Sequence, residues 1–176
     1  MMVIFGGRTS DQSALNDIWG LRRHRNGSWD WLRAPYKTNK ALPSPRYQHS
    51  SLFVGSTLIV LGGRTNQVGE SVPIDVYDTE TSEWYKFPPF CRFRHTSWAL
   101  DSRLYIHGGF EHEFPNVPTE STATIDIMRL FTRHEHLIPK ELSDAMASQS
   151  NAMEEAKRTT PLTRTGNRTP DIRLAN

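Results

Sequence analysis

The 176-residue sequence is 36% hydrophobic and 23% charged, with a net charge of +2, too balanced to predict nucleic-acid binding from bulk electrostatics. No run approaches the roughly 18–20 apolar residues a membrane span needs, so neither a nucleic acid nor a membrane is expected as partner. The single cysteine, Cys91, excludes an intrachain disulfide framework and fits a reducing compartment, the cytoplasm with the nucleus also open.

In chain order, apolar residues run into paired glycines three times: VIFGG at 3–7, LIVLGG at 58–63 and LYIHGG at 104–109. The pairs begin at 6, 62 and 108. At an offset of 46, RYQHSSLFVGSTLIVLGG (46–63) lies over RFRHTSWALDSRLYIHGG (92–109) without a gap. Arg46 falls on Arg92, His49 on His95, Ser51 on Ser97, Ser56 on Ser102 and Leu58 on Leu104. This is an internal repeat, and it governs the reading of everything around it.

Each copy reads as β structure. Ser50–Val54 and Thr96–Leu100 are strand-like runs, followed by turns at Gly55-Ser56-Thr57 and Asp101-Ser102-Arg103 and by second strands that end at the glycines. Paired glycines after an apolar strand point to positive φ or to a close backbone approach. A third strand is expected at Asp17–Leu21, Ile74–Asp78 and Ala123–Met128. The first two copies continue through polar turns to a tryptophan, Trp29 or Trp31 in one and Trp84 in the other. The expected unit is therefore four antiparallel strands, with the opening strand missing from the first copy.

The apolar strand, the double glycine and the aromatics of YDTETSEW (Tyr77, Trp84) resemble the kelch motif, whose units are blades of a β-propeller. The resemblance covers about residues 2–130. It implies an all-β fold: a partial kelch propeller of about two and a half four-stranded blades, with units at about 2–34, 44–88 and 91–130. Gly6, Gly7, Gly62, Gly63, Gly108, Gly109, Tyr77, Trp84 and Trp29 would be its structural residues, Tyr77 and Trp84 packing where blades meet. The first unit departs in carrying Leu21 near the tyrosine's place, and the third has no tryptophan after Ile125. More narrowly, WDWLRAP, SPRYQHSSLFVGSTLIVLGG and CRFRHTSWALDSRLYIHGG are similar to the last kelch blades of plant and protist serine/threonine phosphatases with N-terminal kelch repeats. The catalytic strings GDxHG, GDxVDRG and GNHE do not occur here. No enzyme activity and no cofactor are expected of this chain, although a downstream phosphatase domain would bring a two-metal site. A propeller needs four to eight blades, so blades missing in cis are an expected partner.

Histidines at 107, 112, 134 and 136 lie near glutamates but lack zinc-site spacing. Arg22-Arg23-His24-Arg25 reads as a solvated loop between strands. The best candidate site precedes each opening strand. In kelch modules that bind acidic peptides this loop faces one mouth of the channel. Alignment puts Gln48 and Arg94 there, fourteen residues before their glycine pairs, with His49 and His95 beside them. An arginine fork suits a carboxylate or phosphate. The expected function is a non-catalytic protein-interaction module, a fragment of a larger protein, taking an acidic or phosphorylated segment. The alternative is the regulatory region of a kelch-repeat phosphatase.

After residue 133 the pattern changes. Pro139 opens a stretch in which Leu142, Ala145, Met146, Gln149, Met153 and Ala156 follow helical spacing. Residues 134–157 are expected to be a linker with a helix, and 158–176, polar and proline-punctuated, a disordered tail. Thr160-Pro161 and Thr169-Pro170 in that tail fit proline-directed phosphorylation.

Overall fold

Short runs rich in β-branched and aromatic residues, joined by tight turns, form antiparallel sheets in the computed structural model, which describes residues 1–37, 42–67 and 69–159. The first sheet is β1 (Met2–Arg8), β2 (Ala14–Arg23) and β3 (Trp29–Arg33), in that order. The second is β4 (Ser50–Val54), β5 (Thr57–Leu61), β6 (Pro73–Asp78) and β7 (Glu83–Pro89), also in sequence order. A short ribbon pairs β8 (Arg92–Phe93) with β11 (Phe110–Glu111). The third sheet is β9 (Thr96–Leu100), β10 (Arg103–His107) and β12 (Thr122–Asp126), with β10 in the middle. The result is a mostly β, partial propeller in which three sheets follow one another as blades.

The hairpins close where turn chemistry permits. Gly55 (φ 60°) and Asp101 (φ 52°) each take positive φ at the first residue of a two-residue turn, between the pairs Val54/Thr57 and Leu100/Arg103. That geometry matches the right-handed twist of the strands. Among the described residues only the second sheet has four strands: the first lacks an opening strand, and the third lacks a fourth.

The reason for the second absence lies just past β12. The expected strand to Met128 stops at Asp126, whose Oδ1 accepts the Arg129 N–H at 3.0 Å and caps a one-turn helix, α1 (Ile127–Leu130). Ile127, Leu130 and Phe131 share one face at i, i+3 and i+4 spacing. Ile127 and Phe131 are buried, and Phe131 meets Phe87 with ring centroids 5.4 Å apart. Leu137 is buried as well, and Pro139 lies against Gly55. The segment expected to begin a linker at 134 is thus part of the core, and the first compact unit runs from Met1 to Leu142. A long helix, α2 (Lys140–Thr159), follows, its backbone reaching two residues into the expected tail. Residues 160–176, with both Thr-Pro pairs, lie outside the described residues.

Apolar side chains from alternate strand positions pack between the sheets in two clusters. Phe5 and Ile18 of the first sheet meet Leu58, Val60, Tyr77 and Trp84 of the second. On the other side Ile59, Leu61, Ile74, Val76 and Phe87 meet Leu104 and Ile106 of the third, together with Ile127, Phe131 and Leu137. Tyr77 and Trp84 therefore sit between blades, Trp84 5.4 Å from the Phe5 ring and 5.2 Å from the Tyr77 ring.

Candidate functional site

The loops that lead into β4 and β9 carry the candidate residues, and a recurring clamp holds each loop to the preceding blade. Gly7 donates its N–H to the Arg46 carbonyl at 2.9 Å, and Gly63 donates to the Arg92 carbonyl at 2.8 Å. Gly62, at φ 59°, has no room for a side chain: a Cβ there would run into the Arg92 carbonyl and lie 2.8 Å from His95 Cε1. Gly6 meets the Arg46 carbonyl in the same way, at 2.7 Å. Gly63 and Gly109 press instead on the loop of their own blade, at Tyr47 and Phe93 respectively. A Cβ at Gly7, whose blade has no opening loop among the described residues, would meet nothing within 4 Å, and one at Gly108 would meet only the Thr119 carbonyl, at 3.7 Å.

Arg46 and Arg92 are both buried and serve the scaffold. Arg46 donates to the carbonyls of Ser44, Gly62 and Pro73 and pairs with Asp75. Burial pushes the Asp75 carboxyl up and the guanidinium down from their usual ranges; the ion pair and the hydrogen bonds offset that cost. Arg92 holds Ser121 and Glu111, the latter at 3.1 Å.

His49 and His95 are not presented to a partner, contrary to expectation. Each imidazole turns inward from its loop and wedges against the preceding blade. The His49 ring meets Phe5 at 5.3 Å, and His95 meets Phe90 at 5.7 Å while its Nε2 lies 2.8 Å from Ser50 Oγ. Burial, with the Arg46 charge second for His49 and the Arg92 charge second for His95, lowers both to about 4. Both rings are therefore neutral at pH 7.

Gln48 and Arg94 do face outward from the loops, Arg94 exposed and Gln48 half-buried. They do so because both residues take left-handed backbone, at φ 59° and 56°. The Arg94 guanidinium lies 6.0 Å from the Phe110 ring centroid. Two further cations repeat this arrangement. Arg8, after the first glycine pair, lies over Tyr47 at 4.7 Å, and Arg64, after the second, lies over Phe93 at 4.9 Å. The signal for them was available in the sequence, as GGR at 6–8 and again at 62–64.

Residues 1–130 match the KLHDC2/KLHL20/DRC7 Kelch-repeats domain. The chain belongs to the kelch-repeat family. Among curated relatives, the kelch chain is 36% identical over 87 residues to serine/threonine-protein phosphatase BSL2 of Arabidopsis thaliana, covering 48% of this chain and 8% of the phosphatase. It is 38% identical over 90 residues to human Kelch-like protein 25, covering 48% of this chain and 15% of that protein. To Tip elongation aberrant protein 1 of Schizosaccharomyces pombe it is 35% identical over 114 residues, covering 60% of this chain and 10% of that protein. The chain thus spans a small part of the length of these relatives. As a kelch-repeat chain it is a protein-interaction module, and the kelch repeats themselves are non-catalytic.

The kelch register corrects one assignment. Tyr77 stands opposite Trp84, and the aligned Leu21 stands opposite Trp31, whereas Trp29 stands opposite Arg23. Trp31, not Trp29, occupies the motif's tryptophan position. The basic run beside it is largely engaged: Arg22 and His24 pair with Asp30, and Arg23 lies over the Trp29 ring. Among the described residues no group of three or more His, Cys, Asp or Glu side chains is placed to hold a metal. His112 binds the Gly63 carbonyl, His107 binds Thr122, and His134 and His136 pack on Tyr85. No described helix is long and apolar enough to cross a membrane.

Proposed function

We propose that this kelch segment binds an acidic or phosphorylated protein segment on its loop side, without catalysis and without a cofactor. One observation carries the reading: Arg8, Arg64 and Arg94 each stand over an aromatic ring on the loops after the glycine pairs or before the opening strands. A guanidinium over a ring can still aim in-plane N–H groups at a carboxylate or phosphate; Arg8 spends its Nε–H on the Gln12 carbonyl and Arg94 its Nε–H and one Nη–H on the Gln48 amide oxygen, which leaves their other Nη donors for a ligand. The order of cations along the blades suits an extended segment. The experiment is a calorimetric titration of the protein with a glutamate-rich peptide and its phosphoserine counterpart, against a lysine-rich control. Binding that weakens with salt and with Arg8→Ala plus Arg64→Ala supports the reading; equal, weak binding of all three peptides overturns it.

A second reading rests on the BSL2 match. Here the segment belongs to the regulatory region of a kelch-repeat serine/threonine phosphatase whose catalytic domain follows in the parent protein. Sequencing the full transcript tests it: a reading frame that continues into GDxHG, GDxVDRG and GNHE supports it, and one that stops without them overturns it. Under either reading further blades in cis complete the propeller, and the location is the cytoplasm, extending to the nucleus, in keeping with the exposed free thiol of Cys91.

A further inference from the structure

A loop follows each glycine pair, and the third departs from the other two. The first two open Arg8-Thr9 and Arg64-Thr65, whereas the third opens Phe110-Glu111. Residues 8–13 balance Arg8 against Asp11, and residues 64–71 balance Arg64 against Glu70. Residues 110–121 carry Glu111, Glu113 and Glu120 and no lysine or arginine. Glu111 pairs with the buried Arg92, but Glu113 and Glu120 are exposed. The tip between them is apolar. Phe114 is 56% exposed and Val117 62%, and with Pro118 and Glu120 they line an open hollow. An aromatic and a β-branched side chain side by side in water are of the kind that marks an interaction surface.

This tip is held in place. The Phe114 N–H donates to the Glu111 carbonyl and the Val117 N–H to the Phe114 carbonyl, both at 3.1 Å, so two turns follow one another. The Thr119 N–H closes the loop on the Gly109 carbonyl at 2.9 Å. At the base His112 Nε2 donates to the Gly63 carbonyl at 2.8 Å, and Phe110 stacks on Phe93 with centroids 5.5 Å apart. These contacts bring Pro115 into one small pocket with Arg64. The apolar tip therefore begins beside the row of cations. Side chains fixed in this way lose little freedom when a partner covers them.

The repeat shows that a following blade is not the cover. The first two loops each have a blade after them, and their tips stay open: Ser10, Asp11, Gln12 and Ser13 are exposed, as are Asn66 and Gln67. What fits the third tip is set by charge. Acidic residues suit Arg8, Arg64 and Arg94, and they are repelled by Glu113 and Glu120.

We infer that the third loop is an anchoring lip that selects, among acidic protein segments, those continuing into an apolar residue followed by a basic one, the apolar side chain seated on Phe114 and Val117 and the base facing Glu113 and Glu120. The inference rests on the acidic-segment reading and adds the chemistry of the segment's second half.

Calorimetric titration of the glutamate-rich peptide and of three extensions tests it. The extensions are Leu-Lys, Ser-Lys and Leu-Glu, each joined through a glycine–serine linker and made at either end. At one end or the other, Leu-Lys is expected to bind about tenfold tighter than Ser-Lys, the gain from burying one leucine. It is also expected to exceed Leu-Glu. Phe114→Ser with Val117→Ser removes the gain and leaves the affinity for the unextended peptide unchanged. Glu113→Lys with Glu120→Lys inverts the order of Leu-Lys and Leu-Glu. All four positions are exposed, and melting temperatures equal to the parent's confirm that both variants fold. A gain below about threefold, or one that survives Phe114→Ser with Val117→Ser, overturns the inference while the acidic-segment reading stands. If the unextended peptide does not bind, both fall. Sedimentation of the free protein is the second measurement: a monomer agrees, and a dimer that Phe114→Ser with Val117→Ser dissociates gives the lip to a second copy and overturns the inference.

Discussion

Arg94 and Gln48, which occupy the same place in consecutive repeats, hold each other. The Arg94 N–H donates to the Gln48 carbonyl at 2.8 Å. With the Gln48 amide turned so that its oxygen faces the guanidinium, that oxygen accepts from Arg94 Nε and Nη2 at 2.9 and 3.0 Å. The neutral residue of one blade thus braces the cation of the next and limits where its remaining donors point.

This bracing shapes the first prediction. Arg94→Ala is expected to weaken a glutamate-rich peptide by about 1.5–3 kcal/mol, the range for a hydrogen bond to a charged group, and to cost about 1 kcal/mol of stability because Gln48 loses its partner. Arg94→Lys recovers only part of the affinity, since an ammonium lacks the fork. Calorimetry and thermal melts on the same samples separate the two effects; unchanged affinity in a folded Arg94→Ala protein removes Arg94 from the site.

The aligned tryptophans should behave differently. Trp84→Ala removes a ring buried between two blades and is expected to cost about 3–5 kcal/mol. Trp31→Ala, at the same repeat position but in solvent, should change the stability of this chain by no more than about 0.5 kcal/mol. Urea melts of both variants test this, and a loss below about 1 kcal/mol for Trp84→Ala would contradict its place between the blades.

Glycine substitutions should follow the same asymmetry. Gly62→Ala brings a methyl group into the Arg92 carbonyl at positive φ, so the loop clamp must open; a loss above about 3 kcal/mol is expected. Gly108→Ala meets no close neighbour and carries only the left-handed backbone penalty of about 1–2 kcal/mol. Equal losses in denaturant titrations would remove the clamp from the account.

Acid should loosen the blades through His49 and His95. Both have folded pKa values near 4, below the ordinary 6.5 that the unfolded chain restores. Between those limits the unfolded state binds more protons than the folded one. Stability is therefore retained above pH 6.5 and lost as pH falls toward 4, by up to about 1.4 kcal/mol per pH unit for each ring. Chemical denaturation at pH 7 and pH 5 measures the slope, and His49→Gln with His95→Gln should flatten it.

The C-terminal boundary is also open to measurement. Phe131→Ala should cost about 3–5 kcal/mol, although the residue lies beyond the last strand, because its ring fills the space beside Phe87. A chain ending at Leu142 should keep the melting temperature of the full chain, and one ending at Asp126 should not.

By itself the sequence determined the repeat, the hairpins with their turns at Gly55 and Asp101 and the missing opening strand of the first unit, while the interblade role of Tyr77 and Trp84 was implied by the kelch resemblance. Those features are written in local alternation, turn chemistry and fixed spacing, which act over a few residues. Only the tertiary structure decided between Trp29 and Trp31, because strand register depends on which residues of β2 lie across from β3. It alone turned His49 and His95 inward, since a side chain's burial is set by the neighbouring blade and not by the loop that carries it. It also replaced the last strand with α1: at the last residue of β12, Asp126 caps a turn whose apolar face finds room beside Phe87, and burying Ile127 and Phe131 there outweighs continuing a strand at an open edge.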